Sequence, residues 1–121
     1  MLRLVITGKI KPYVRMTQRS KYVNPEALAY RDSQQVIRAQ AVIQMREGNH
    51  AMFGREPLKV EIVFLEGGKF HNRDLSNEVK AVEDAFNGIV WDDDRWIDHL
   101  TAIRVVDKIN GPMTIVYVQK L

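Results

Sequence analysis

A chain of 121 residues, 45% hydrophobic and 27% charged, can bury one core but not two, and its composition is that of an ordinary globular domain. It has no cysteine, which excludes a disulfide framework, a thiolate zinc site and a cysteine nucleophile. It also has no run of the roughly 20 apolar residues that a bilayer span requires. The net charge of +3 hides a division: residues 1–46 hold nine Lys/Arg against two acids, and the remainder holds nine against thirteen, giving +7 and −4.

Leu2, Leu4 and Ile6 alternate loosely around Val5 and predict a strand over residues 2–8, in a start too short and too soon interrupted for a signal peptide. Residues 9–23 show no apolar period. Pro12 and the spaced Lys11, Arg15, Arg19 and Lys21, with Tyr13 and Tyr22 between them, read as a long functional loop, because loops of this length rarely persist unless they bind something. Asn24-Pro25-Glu26 is a helix start: an N-cap, a proline at the first helical position and an acid in the first turn. Its apolar stripe is Leu28, Val36, Ile37, Ala41, Val42 and Met45, so the helix should reach about Arg46 and close at Gly48.

After a connector over 49–56, Leu58, Val60, Ile62 and Phe64 alternate with Lys59 and Glu61 as a half-buried strand that Gly67-Gly68 ends. A second helix begins near Asp74. Leu75, Val79, Val82 and Phe86 fall at i, i+4, i+7 and i+11, leave Asn77, Lys80 and Asp84 on a polar face, and meet a stop at Asn87-Gly88. Residues 97–106 and 113–118 read as two antiparallel strands, with Asn110-Gly111 as a hairpin signal between them. The order β-α-β-α-β-β predicts an α/β (α+β) fold: a single domain over 1–121 with a small mixed β-sheet and two helices packed on it.

Chemistry concentrates around the second helix. Arg73-Asp74-Leu75-Ser76-Asn77 and Lys80 open it, and Trp91-Asp92-Asp93-Asp94 follows it, extended by Asp98. Acids gathered this tightly repel one another unless a cation sits among them, and hard oxygen donors suit Mg²⁺ or Mn²⁺. The helix dipole helps to keep Asp74 ionised, Lys80 projects from the second turn, and the 92–94 segment follows closely enough to fold back towards the helix start. Two carboxylates and a metal would position water on a scissile phosphate, with Lys80 stabilising the transition state or the leaving oxygen. A basic arm beside such a site suits a polyanionic substrate. Singly, Asp74 is equally a plain N-cap, Lys80 a solvated lysine and the aspartates an acidic turn; only the joint spacing points to catalysis. Trp91 and Trp96 read as core or interface residues. His50, His71 and His99 form no ligand pattern, and no phosphate loop or nucleophile elbow is present.

These residues resemble the RusA family of Holliday-junction resolvases. The family's Arg-Asp-Leu-Asp-Asn run, following lysine and Asp-Asp pair stand here as Arg73-Asp74-Leu75-Ser76-Asn77, Lys80 and Asp92-Asp93. Glu83-Asp84-Ala85-Phe86 is similar to the family's ending of that helix. The amino-terminal strand, the basic loop with Tyr22 and Ala29-Tyr30-Arg31-Asp32 extend the likeness more loosely. The resemblance implies a homodimeric, Mg²⁺-dependent endodeoxyribonuclease, with Mn²⁺ as a substitute, that resolves four-way junctions and other branched DNA in recombination and repair. The setting it implies is the cytoplasm of a bacterium or phage-infected cell, with no membrane partner. Asp74, Lys80 and Asp93 would be catalytic; Asp74, Asp92, Asp93 and Ser76 would surround the metal; Lys9, Lys11, Arg15, Arg19, Lys21 and Arg73 would contact DNA. Ser76 departs from the family's second aspartate, so it would act through water or leave Asp92 or Asp94 to supply the charge. Two other readings use the same residues: a junction-binding protein of this fold with weakened catalysis, and a metal-dependent hydrolase of small phosphate esters.

Overall fold

The computed structural model describes residues 1–13, 25–68 and 73–121. Within them lie β1 (Leu2–Thr7), α1 (Pro25–Glu47), β2 (Leu58–Glu66), α2 (Leu75–Phe86), a 3-10 turn (Asp94–Trp96), β3 (Ile97–Val106) and β4 (Met113–Lys120). The four strands form one mixed sheet in the order β1-β4-β2-β3, with β4 antiparallel to both its neighbours and β2 parallel to β3. The expected small mixed sheet with two helices is thus what the chain forms. Asn24, the expected cap of α1, lies outside the described residues.

The expected pairing of the last two strands does not occur. β2 lies between β3 and β4, so their connection passes the end of β2 instead of closing a hairpin. β2 alternates strictly, burying Leu58, Val60, Ile62 and Phe64, and takes a central place; β3, exposed along most of its length, takes an edge. The turn signal has another cause. The Asp107 carboxylate accepts hydrogen bonds from the N–H groups of Ile109 and Asn110 and from Asn110 Nδ2. A Cβ on Gly111 would lie 2.9 Å from Glu66 C and Gly67 N, so only glycine lets the connection pass this close to the end of β2.

One sheet face carries Leu4, Ile6, Leu58, Val60, Ile62, Phe64, Val116 and Val118, all buried. Against it pack Tyr30, Ile37, Ala41 and Met45 of α1 and Val79, Val82, Ala85 and Phe86 of α2. Trp91, fully buried, meets Phe86 edge-on at 5.5 Å, a core position as expected. Arg38 of α1 donates to the carbonyls of Ala85 (3.1 Å) and Asn87 (3.3 Å), satisfying the end of α2.

The outer edge of β1 is closed by side chains. Gln44 accepts from Val5 N–H at 2.9 Å and donates to Val5 O at 2.7 Å; Gln40 does the same at Thr7, at 2.9 and 3.2 Å. Four residues apart on α1, the two amides take the place of a neighbouring strand and blunt an edge that would otherwise pair with another chain. No helix among the described residues is long and apolar enough to cross a membrane.

Candidate active site

At the start of α2, Asp74 takes the extended N-cap conformation (φ −75°, ψ 129°), but its side chain makes no capping hydrogen bond. Its exposed carboxylate has Asn77 Nδ2 at 3.5 Å. Ser76 is exposed beside it, in an open groove of about 570 Å³ that Leu75, Val79, Glu83, Leu100 and Ala102 also line. Arg73 turns inward: its side chain is 10% exposed and pairs with Glu66 at 3.0 Å. Arg104, from β3, reaches Glu78 Oε1 with Nε (3.1 Å) and Nη2 (2.8 Å) and also donates Nη2 to the Arg73 carbonyl. Burial pushes the Glu78 carboxyl above its ordinary range, and the charges of Arg73 and Arg104 oppose this.

The root of the basic arm docks on the same helix. Tyr13 N–H donates to Asn77 O at 3.0 Å, its ring meets Tyr30 edge-on, and Lys80 Nζ stands 4.9 Å from the ring centroid. Lys9 and Lys11 are exposed on this segment. Arg15, Arg19, Lys21 and Tyr22 lie outside the described residues, as does His71.

Beyond the end of α2 the three consecutive aspartates go separate ways. Asp92 faces Arg55 at 3.8 Å. Asp93 caps the 3-10 turn, accepting from Arg95 N–H at 3.1 Å and pairing with Arg95 Nη2 at 3.5 Å; these contacts hold it below the usual carboxylate range. Asp94 accepts from Asn87 Nδ2 at 3.1 Å, while Asn87 Oδ1 accepts from Trp91 Nε1 at 2.7 Å, so a buried indole orients the amide that holds Asp94.

Asp94 also acts electrostatically on α2. Burial first, then the charges of Asp94 and Asp84, raise Glu83 to about 7 against the opposing effect of Lys80. Asp84 is raised by burial and by Asp94, with Lys80 and a hydrogen bond from Tyr30 (3.4 Å) opposing. Lys80, Glu83, Asp84 and Asp94 therefore share one electrostatic neighbourhood.

Asp74 is not in it. The parallel β2-α2-β3 crossover puts Asp74 past the end of β2 and Asp94 just before β3 begins, at opposite ends of the unit. Thirteen residues separate Asp74 from Asn87, about 20 Å along a helix axis. Ligands of one Mg²⁺ lie about 2 Å from the ion. Among the described residues no three His, Asp or Glu side chains stand together to hold a metal ion. The expected folding-back of 92–94 onto the helix start therefore does not happen within one chain. What the sequence reading passed over is the grouping of Glu83, Asn87 and Asp94. Ser76, Lys80, Glu83 and Asn87 recur at i, i+4, i+7 and i+11, so their shared face was available in the spacing.

A mixed α+β domain whose crossover helix lies between Asp74 and Asp94, carries an exposed lysine and is met by Tyr13 at the root of a basic segment holds the residue types that a small nuclease uses. A sequence model of the endodeoxyribonuclease RusA matches residues 4–119, and the chain belongs to that family. It is an endodeoxyribonuclease of the Holliday-junction resolvase type. No curated protein matches it. Nucleases of this family generally depend on a divalent metal. The donors at either end of α2 suit a hard cation in kind, but a single chain does not bring enough of them to one place.

Proposed function

We propose that two copies of this chain act together as a Mg²⁺-dependent resolvase of four-way and other branched DNA, with each cutting centre shared between them. Asp74, with Ser76 and Asn77, would come from one chain and Asp94 from the partner subunit. The observation that carries this reading is the separation of Asp74 from Asp94 across the length of α2. A two-fold axis perpendicular to α2 reverses its direction, so two chains meeting along α2 about such an axis would set each helix start beside its partner's helix end, twice over. A junction needs two symmetric cuts, which two such centres supply.

The ion, when bound, would offset phosphate charge and acidify a water. The remaining work falls to the chain's own residues. Lys80, exposed at mid-helix and braced over Tyr13, would offset the negative charge growing on a phosphate oxygen. Lys9 and Lys11, continued by Arg15, Arg19 and Lys21, would hold the duplex arms through phosphates. Between the two aspartates, Asp94 fits the metal role better, because Asp93 is engaged with Arg95. Asp94 also supplies the charge that Ser76 lacks.

The test is cleavage of a synthetic four-way junction with Mg²⁺, and with Ca²⁺ as a control that supports binding. Wild type should cut symmetrically with Mg²⁺ only, and sedimentation should give a dimer. Binding without cutting under any divalent metal would make this a junction-binding protein instead.

A further inference from the structure

We infer that Glu78 and Arg104 are positioning residues that hold Asp74 in place for cutting, an inference that rests on the nuclease reading. Among the described residues the Asp74 carboxylate has only Asn77, at 3.5 Å, as a hydrogen-bond partner, so its direction depends on how the backbone behind it is fixed. Three contacts fix it. Glu78 N–H donates to Asp74 O at 3.1 Å, Arg104 grips Glu78 Oε1, and the same guanidinium donates to the carbonyl of Arg73, immediately before Asp74. These bonds close a ring through residues 73, 74, 78 and 104. Arg73 then ties the ring to the end of β2 through Glu66.

The network is a poor device for stability alone. It buries two cations and two anions, and Arg73 Nε, Arg73 Nη1 and Glu78 Oε2 are buried with no hydrogen-bond partner among the described residues. Apolar side chains of similar size would commonly hold a helix to a sheet as well or better. What they could not do is grip a backbone carbonyl at the residue before the catalytic acid. Arg104 makes that bond from β3, a strand paired along its length with β2, and groups that orient a metal-binding side chain in this way commonly set metal affinity.

The double variant Glu78→Met/Arg104→Met tests this, because it replaces the buried pair with apolar groups and leaves no orphan charge. It should stay folded and bind junctions in Ca²⁺ as wild type does. It should also lose about 10–100-fold in kcat and in calorimetric Mn²⁺ affinity, with faster amide exchange confined to residues 74–78. Arg104→Lys, which keeps the charge but cannot make all three bonds, should fall between the two and stands in if the double variant does not fold. A folded variant with wild-type kcat and wild-type exchange at 74–78 would overturn the inference, and so would a loss of kcat matched by equal losses of melting temperature and junction binding. If wild type itself neither cuts nor binds Mn²⁺, the nuclease reading fails, a result distinct from an unaffected variant of an active enzyme.

Discussion

Asp92, Asp93 and Asp94 are chemically identical and adjacent, yet their surroundings give them different work. The Asp93 carboxylate is engaged with Arg95 towards solvent, whereas that of Asp94 is held by Asn87 beside Lys80 and Glu83. Asp94→Asn should therefore lower kcat by about 10²-fold or more, and Asp93→Asn by less than about tenfold, in junction cleavage at saturating Mg²⁺. The reverse ranking would return the role to Asp93. Lys80→Ala should leave junction affinity in Ca²⁺ nearly unchanged while turnover falls by about 10²–10³-fold; a matched loss of both would make Lys80 a binding residue.

Glu83 offers a test through stability. Its carboxyl titrates near 4.5 when unfolded and near 7 when folded, so between those values the folded chain holds a proton that the unfolded chain has released. Metal-free stability should therefore fall as pH rises from about 4.5 to about 7 and level off above. Glu83→Gln should flatten that fall and melt higher than wild type above about pH 7. Thermal melts across this range check it, and parallel curves for the two proteins would contradict it.

At the scale of elements, the apolar period made α2 and β2 readable, since burial on one face of a helix or strand leaves its spacing in the sequence. Strand order was not readable. Asn110-Gly111 reports a local turn, and local turn chemistry is the same whether or not the flanking strands pair. What decides the order is non-local: β2 can be covered on both edges and β3 cannot. Gln40 and Gln44 were equally silent, because polar residues four apart on a helix read as a solvent face until a strand edge is found beneath them. Replacing both with alanine should cost about 2 kcal/mol in urea unfolding, the net worth of a few hydrogen bonds, and should promote association through the freed edge of β1. Unchanged stability and unchanged light scattering would mean that the amides only decorate the edge.

For the whole molecule, the division of charge seen in the sequence becomes a division of labour. The basic half supplies the arm whose root lies on α2, and the acidic half supplies both ends of that helix. Junction affinity should fall steeply with salt, and Lys9→Ala/Lys11→Ala should reduce the log–log slope by about 2, at about 0.9 per lost phosphate contact. An unchanged slope would place those lysines off the DNA.

The candidate site was legible as residues but not as an assembly. Spacing along the chain brought Asp74, Lys80 and the aspartates together on paper, and the parallel crossover then set the acids at opposite ends of one helix. Chains carrying Asp74→Asn and chains carrying Asp94→Asn, each inactive alone, can be unfolded together, refolded and given a four-way junction with Mg²⁺. A centre shared between subunits leaves each mixed dimer with one intact Asp74–Asp94 combination, so the mixture should regain cutting, as nicks in one strand. If every centre belongs to a single chain, both centres of the mixed dimer are broken, and a mixture as inert as its parents would contradict the account.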